Sequence, residues 1–430
     1  MENKKNYALP IAMMFCLFFM ISFVTGLQNP MGIIIKAQFH ASNLVSQLGN
    51  FANFIAYAFM GIPAGMLLTK IGYKKTALVA IAVGFIGVAI TYCSGLIGNA
   101  SPENTSMIFA VYLIGALVSG FSMCMLNTVV NPMLNTLGGG GNKGNQLIQF
   151  GGCCNSVGAT IVPVLGGYLI GDIANAQISS ATPAMFIAMG IFALAFIVLS
   201  TMSIPEPFIV KDEKKDVNDK HSAWSFRHFV FGAVAIFFYV GIEVGIPNIG
   251  NLFMTNSLGM EATIAGSIAG TYWFCMLIGR LVGGVIASKV SSKAMLSTAS
   301  LIAIVFLLLA IFIPANVNVS MPVFQSNISF GMENVPICVM FLTLCGLCTS
   351  VMWGGIFNLA VEGLGKYTAA ASGIFMMMVC GGGVMPLIQA QIADWTSYLC
   401  SYYLVIAMLA FLFWYAVAGS RNVNKDIKVD

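Results

Sequence analysis

A single carboxylate lies in the middle of an apolar stretch long enough to cross a membrane. The run Phe229–Asn251 reads FVFGAVAIFFYVGIEVGIPNIGN and carries Glu243 near its centre. An acid inside a membrane is costly to bury in its ionised form, and it usually faces a protein interior or a water-filled path. Such a carboxyl group can bind and release a proton during transport, or it can help to hold a cation together with amide and carbonyl oxygens. Glu243 is therefore the predicted ion-coupling residue.

Amide side chains recur at helical spacing in the other apolar runs. Asn127 and Asn131 are four residues apart, so they lie on one face of a helix. Amides both donate and accept hydrogen bonds, which suits a neutral polyhydroxyl solute. The predicted substrate contacts are Gln28, Asn29, Asn50, Asn127, Asn131, Gln149, Asn155, Asn251 and Asn358, with Trp353 as a surface on which a sugar ring could stack.

Two other roles stay open for these residues. Amides also hold membrane helices together by hydrogen bonds, and Trp also packs in cores or forms interfacial belts. An anionic substrate would favour a buried basic residue, for which Arg280 is the only candidate. Arg280 could instead form an ion pair with Glu243 and join two helices, in which case Glu243 would have a structural role.

The elements that position these residues are membrane helices. The chain has 430 residues, of which 58% are hydrophobic and 8% charged, and its mean hydropathy is +0.89. Soluble domains contain about 25% charged residues, and a membrane helix needs about 20 apolar residues. We predict an all-α membrane protein with twelve transmembrane helices. They cover roughly 8–35, 44–69, 75–98, 107–136, 146–171, 184–204, 227–254, 262–288, 293–314, 335–361, 367–391 and 396–419.

A charged segment divides the twelve predicted spans into two sets of six. It includes Pro205–Trp224, which is the only long charged stretch. We predict an N-terminal six-helix bundle over 1–204, a cytoplasmic linker over 205–226 and a C-terminal six-helix bundle over 227–430. Two six-helix halves with a site between them near the midplane are typical of one large class of transporters.

The distribution of basic residues predicts the orientation. If the N-terminus is cytoplasmic, all of the nineteen Lys and Arg residues except Lys36 and Arg280 fall in cytoplasmic segments. Outer loops such as Ala315–Asn334 contain none. Because cytoplasmic loops carry the excess of basic residues, both termini are predicted to be cytoplasmic.

Other chemistry is not indicated by the sequence. The eleven Cys and three His residues do not repeat a metal-ligand spacing, and no phosphate-binding loop follows a GxxxxG frame. No nucleophile–base arrangement is evident. We therefore expect no enzymatic activity, no bound metal or other cofactor, and no nucleic-acid partner. The expected partners are a small-molecule substrate and the lipid bilayer, and the expected state is a monomer.

Several stretches along the whole chain resemble the major facilitator superfamily. Within it they are most similar to the fucose–galactose–glucose:proton symporter family. The matching stretches are Gly61–Ala77, Leu126–Gly138, Gln149–Gly167, Tyr239–Ile246, Tyr272–Gly284, Trp353–Gly365 and Gly381–Asp394. The resemblance implies a sugar-like substrate and alternating access, in which the two halves rock about a central cavity.

The chain departs from the family pattern at two acids. The first span of the family usually reads LND, and its Asp is implicated in proton coupling, whereas this chain has Leu27, Gln28 and Asn29. Asn127 stands where some members have a Glu. Glu243 matches the family's YVGAEV motif and is the buried acid that remains.

The sequence thus predicts a bacterial inner-membrane importer of a monosaccharide or a similar small polyol. A proton or a sodium gradient would drive it through Glu243. The alternatives are a sugar uniporter without coupling, an efflux transporter of another small solute, and a membrane receptor or structural protein.

Overall fold

The computed structural model describes residues 7–137, 141–170, 176–204, 221–286, 290–325, 327, 329–424 and 426–427. Within these residues, twelve helices are long and apolar enough to cross a membrane, which confirms the predicted number. In chain order, spans 1 to 12 are Ala8–Phe39, Leu48–Leu68, Lys70–Ala100, Thr105–Leu134, Leu147–Leu169, Ile178–Thr201, Arg227–Asn256, Ala262–Ile286, Ser292–Phe312, Ile337–Val361, Gly373–Trp395 and Tyr398–Gly419. Most of the predicted linker 205–226 lies outside the described residues, so the linker and the bundle boundaries at 204 and 227 stay predictions.

Three spans are interrupted. Span 1 consists of the helices Ala8–Gly26 and Gln28–Phe39. Span 10 consists of Ile337–Thr349 and Met352–Val361. Span 11 lies within Thr368–Met378 and Gly381–Trp395. Irregular backbone at membrane depth is tolerated where it is buried in protein or lines a water-filled cavity. The breaks therefore mark the interior of the bundle.

Most of the remaining spans are unbroken helices. Spans 2 and 3 are two helices within Leu48–Ala100 that meet at a kink at Gly72, where the non-helical φ of 83° would strain a side chain. The other long helices are Thr105–Leu137, Gly141–Ile170, Thr182–Thr201, Arg227–Asn256, Ala262–Ile286, Ser292–Phe312 and Tyr398–Trp414. Short helical segments are Asn43–Ser46, Ile178–Ala181, Ala223–Ser225, Gly365–Tyr367 and Tyr415–Gly419.

The segment between spans 9 and 10, predicted only as an outer connection, is a β-hairpin. Strand β1, Asn318–Phe324, pairs antiparallel with strand β2, Phe330–Pro336. Alternate side chains of a strand point to opposite faces, and the buried face contains Val323 and Val335. Buried and exposed residues alternate in this stretch, and such alternation predicts a strand, but average hydropathy does not detect it. The fold is thus helical with one added hairpin.

The first six spans approach the last six most closely along two pairs of helices. Spans 5 and 8 approach so closely that a Cβ atom on Gly167 would lie 2.5 Å from the carbonyl oxygen of Ala262, and one on Gly266 would lie 2.5 Å from that of Pro163. Small residues allow such backbone contact between membrane helices. In spans 2 and 11, Gly383 lies similarly against Phe51. These contacts occupy one end of the bundle, which we call the closed end.

The glycines of the same helices have more room toward the other end. A Cβ atom on Gly61 would still lie 3.0 Å from the backbone of Met377. One turn further, Gly65 and Gly373 have no atom of the described structure within 4 Å of a Cβ position, and the same holds for Gly284 in span 8. With twelve spans, this is the end at which both chain termini lie. We call it the open end.

Candidate functional site

Glu243 and Arg280 form an ion pair between spans 7 and 8. Arg280 Nη2 lies 3.2 Å from Glu243 Oε1, and the two side chains are 12% exposed for Glu243 and 10% for Arg280. The other guanidinium nitrogen, Nη1, donates to the Gly152 carbonyl at 2.6 Å and to Ser156 Oγ at 2.8 Å. Arg280 therefore joins span 5 of the first six spans to spans 7 and 8. Buried pairs need such additional hydrogen bonds to offset the loss of hydration.

Tyr272 fixes the backbone that carries Glu243. Its hydroxyl donates to the Glu243 carbonyl at 3.1 Å and lies 3.1 Å from Thr349 Oγ1. One hydroxyl thus links spans 7, 8 and 10 at the level of the ion pair. Sequence reasoning did not select Tyr272, although it lies eight residues before Arg280 and so on the same helix face.

Trp353 lies beside the ion pair at the break in span 10. Its ring makes edge contacts with Tyr239 and Phe375, at centroid distances of 6.2 and 5.7 Å. Trp353 is half-buried, so part of its surface remains free. Gln149 approaches the next residue, because a Cβ atom on Gly354 would lie 2.6 Å from Gln149 Nε2. The predicted contacts Trp353 and Gln149 are therefore neighbours across the two sets of spans.

Three more of the predicted substrate contacts, Asn127, Asn131 and Asn155, lie on spans 4 and 5. A fourth, Asn358, lies toward the open end. Asn127 Nδ2 donates to the Tyr57 hydroxyl at 3.0 Å, and Asn131 Nδ2 donates to the Asn127 carbonyl at 2.9 Å. Asn155 Nδ2 donates to the Phe18 carbonyl at 3.2 Å, so it bonds within the first six spans. These three side chains are half-buried, whereas Asn358 is exposed.

Other predicted contacts bond to protein at the closed end. Asn29 Nδ2 donates to Asn248 Oδ1 at 2.7 Å, and Asn251 Nδ2 donates to Asn29 Oδ1 at 2.5 Å. The Tyr112 hydroxyl donates to Gln28 Oε1 at 3.0 Å. Asn29 and Asn251 are 7% and 2% exposed. In this conformation they join span 1 to span 7 across the closed path instead of facing a cavity.

Asn50 makes a further contact of this kind between spans 2 and 11. Its Nδ2 donates to the Gly382 carbonyl at 2.8 Å, next to the break in span 11. Asn50 is 2% exposed. The amides of spans 1, 2 and 7 therefore make neutral hydrogen bonds between the two sets of spans, and Asn29, Asn248 and Asn251 form a connected layer among them.

A charged latch that sequence reasoning missed lies beyond this layer. Both carboxylate oxygens of Asp394, at the end of span 11, accept backbone N–H groups from the short helix before span 2. The distances are 3.0 Å to Asn43 N and 2.9 Å to Leu44 N. A carboxylate at a helix N-terminus is stabilised by the free N–H groups there. Lys36 donates to Asn43 Oδ1 and to the Tyr398 hydroxyl, which extends the latch to span 12.

We expect Asp394→Ala to open this latch. Hydrogen bonds to a charged group contribute about 1.5–3 kcal/mol, so amide hydrogen exchange over residues 43–48 should rise by about tenfold or more. Glu103→Ala is the matched control, because Glu103 is an exposed acid of a loop near the closed end. Equal exchange in the wild type and the Asp394 variant would show that the latch does not hold the two sets of spans together.

The arrangement offers side chains for a small solute and no group of metal ligands among the described residues. No three His, Cys, Asp or Glu side chains of those residues lie together. The absence of cofactors stays a prediction. What the site combines is an ion pair, an aromatic face and amide groups.

The chain is similar to several transporters over almost its whole length. It is 28% identical over 431 residues to a glucose/galactose transporter of Brucella abortus (strain 9-941), with 98% of this chain and 96% of the relative covered. It is 23% identical over 420 residues to the L-fucose-proton symporter of Escherichia coli (strain K12), with 91% and 88% covered.

Solved structures and a family model agree on the fold. The crystal structure of the transporter FucP in the outward conformation superposes with a TM-score of 0.69 at 21% identity, covering 97% of this chain and 100% of that one. The model of the Major Facilitator Superfamily matches residues 14–385. With its twelve spans and this match over most of its length, the chain belongs to the Major Facilitator Superfamily of membrane transporters.

Proposed function

We propose that the chain is a secondary active importer of a monosaccharide or a similar small polyol. One observation carries the proposal: a half-exposed Trp353, the amide of Gln149 and the Glu243–Arg280 pair lie together where span 10 breaks. An aromatic face with a few polar groups is the usual composition of a small-molecule site. The similarity to a glucose/galactose transporter and to an L-fucose-proton symporter supports a sugar substrate.

We further propose that transport is coupled to protons through Glu243. The Glu243 carboxylate faces the N–H groups of Arg280 and the hydroxyl of Tyr239. A sodium site would need several oxygen ligands around the carboxylate, whereas the guanidinium is a positively charged donor that would repel the ion. Protonation removes the negative charge that compensates Arg280. The buried position of Arg280 then becomes less favourable, and the balance between conformations shifts.

The proposed location is the bacterial inner membrane, with both termini in the cytoplasm. The partition of Lys and Arg supports this orientation. The open end would then face the cytoplasm, and the conformation described here would be the one that releases substrate inward. We propose a monomer without enzymatic activity, because transport of this kind needs no more than the two sets of spans.

Counterflow in vesicles tests the sugar proposal. Purified protein in liposomes preloaded with unlabelled sugar should take up the same labelled sugar for at least one member of a panel of neutral hexoses, pentoses and polyols. Glucose, galactose and L-fucose belong in the panel. Saturable uptake of one or more sugars is expected. Lack of counterflow for every sugar, with protein shown to be folded and inserted, would overturn the proposal.

We expect Trp353→Ala to weaken sugar binding. Loss of the stacking surface should raise the half-saturation concentration in counterflow by about tenfold, which corresponds to about 1.4 kcal/mol. Trp395→Ala is the control, because Trp395 is 77% exposed at the closed end, away from the site. The same half-saturation concentration in the Trp353 variant and the wild type would remove Trp353 from the substrate site.

A sugar uniporter is the second candidate function. Asn29 and Asn127 stand where the family pattern has acids, and neither amide can carry a proton. A uniporter would give the same counterflow but would never concentrate its substrate.

A further inference from the structure

A buried hydroxyl that makes no hydrogen bond of normal geometry faces the ion pair. Tyr239 lies one turn before Glu243 in span 7, and its side chain is fully buried. Its hydroxyl meets no acceptor at normal distance and angle within the described structure. It lies near enough to Glu243 and Arg280 to interact weakly with both, as a strained hydrogen bond would. A phenylalanine would fill the same space without burying a polar atom, so packing alone does not account for the hydroxyl.

The poorly satisfied hydroxyl of Tyr239 affects the balance between conformations. A buried donor without a partner destabilises the state in which it occurs, relative to a state that satisfies it. In the conformation described here, the Glu243 carboxylate is bonded to Arg280. If that pair opens, the nearest polar group on the same helix face is the Tyr239 hydroxyl, four residues away. The hydroxyl can then donate to the carbonyl oxygen of the protonated carboxyl.

The ring of Tyr239 also contacts the proposed sugar surface. It meets Trp353 edge to face at 6.2 Å, and Trp353 meets Phe375 of span 11 in the same way. A sugar on Trp353 and a proton on Glu243 are thus separated by one side chain that contacts both residues. If Tyr239 changes its contacts when either the sugar or the proton binds, each ligand alters the affinity for the other, because linkage is reciprocal.

We propose that Tyr239 is a positioning residue that couples the protonation of Glu243 to sugar binding at Trp353. This inference rests on the proposed function. Tyr239 acts through Glu243 and Trp353 and need not touch the sugar. It holds the protonated carboxyl away from Arg280, and it favours the conformation in which the ion pair is open.

The test is Tyr239→Phe, which keeps the ring and its contact with Trp353. Tyr415→Phe is a matched control, because Tyr415 in span 12 also has a buried hydroxyl without a hydrogen-bond partner of normal geometry.

In liposomes with an imposed proton gradient, Tyr239→Phe should lower sugar accumulation by about fivefold. It should also shift the pH of half-maximal uptake by about half a unit or more, because the hydroxyl interacts differently with the protonated and the ionised forms of Glu243. Its half-saturation concentration in counterflow should stay within about twofold of the wild type. Tyr415→Phe should match the wild type in all three measurements.

An unchanged pH profile and unchanged accumulation in Tyr239→Phe would overturn the inference. A rise in the half-saturation concentration with an unchanged pH profile would also overturn it, because that result indicates a packing role. Infrared difference spectra on protonation give a second measurement that needs no flux. The carbonyl band of protonated Glu243 should shift in Tyr239→Phe and not in Tyr415→Phe, and an identical band would count against the hydrogen bond.

The outcome separates this inference from the proposed function. If the wild type does not accumulate sugar in response to a proton gradient, proton coupling itself fails. A different result contradicts only the role of Tyr239. In that case the wild type accumulates sugar and Glu243→Gln does not, but Tyr239→Phe matches the wild type in uptake and in the infrared spectrum.

Discussion

Replacement of Glu243 by Gln is expected to abolish concentrative uptake and to spare exchange. Gln has nearly the same shape and can still accept a hydrogen bond from Arg280, but it cannot carry a proton at any accessible pH. An uncoupled carrier only equilibrates its substrate, so the ratio of internal to external sugar under a proton gradient should fall to about one. Counterflow, which needs no coupling, should continue.

Glu362→Gln is the control for this experiment. Glu362 follows the end of the helix Met352–Val361 and is exposed. Its variant should accumulate sugar as the wild type does. Undiminished accumulation in Glu243→Gln would contradict the coupling role and leave Glu243 as a substrate or structural contact. Loss of both accumulation and counterflow would indicate that the carboxylate is needed for every conformational step.

Removal of the positive partner is expected to have the largest effect on stability. Arg280→Met leaves Glu243 buried without its counter-charge and also removes the bonds to Gly152 and Ser156. Breaking a buried pair by removing one partner costs about 3–5 kcal/mol. Thermal unfolding in detergent should therefore occur at a clearly lower temperature, and accumulation should be lost.

The double variant Glu243→Gln with Arg280→Met separates the charge effect from the loss of contacts. Because no unpaired charge remains, the double variant should be more stable than Arg280→Met alone. Arg421→Met is the surface control, since Arg421 is exposed, and its effect should stay within about 0.5 kcal/mol. Additive destabilisation in the double variant would mean that the two charges do not interact in the folded protein.

Hydropathy was sufficient to predict the twelve spans, because each one needs a long apolar run whatever its neighbours are. The interruptions of spans 1 and 10 were not predictable in the same way. Leu27 and Val351, which stand at these breaks, are ordinary apolar residues. The local signal at span 1 is Pro30, which has no N–H to donate to the Gly26 carbonyl, and hydropathy does not register it. The hairpin was not predicted because buried and exposed residues alternate only over short strands. The polar residues of the same stretch are equally typical of a loop.

The candidate site could be predicted only in part, for a chemical reason. An amide that binds a sugar and an amide that binds another amide use the same donor and acceptor. The sequence therefore does not distinguish Gln149, which lies beside Trp353, from Asn29, which bonds to Asn248 and Asn251. The contact of Asp394 with Asn43 joins residues 351 positions apart, and no local pattern indicates it.

The two layers at the closed end also suggest how the halves could separate. The inner layer of Asn29, Asn248 and Asn251 is neutral, and the outer latch contains one carboxylate, Asp394. Neutral amides exchange protein partners for water at a modest net cost per hydrogen bond. Such contacts suit an interface that opens and closes in each cycle, as alternating access requires.

The measurement that tests proton coupling through Glu243 most directly is sugar-induced proton movement. Liposomes that contain the protein and a pH-sensitive dye receive a transported sugar outside, with no ion gradient imposed. Proton symport predicts that the wild type acidifies the vesicle interior when sugar enters, and that Glu243→Gln does not, although both take up the sugar. Sugar entry into wild-type vesicles without any change of internal pH would contradict the coupling proposed here.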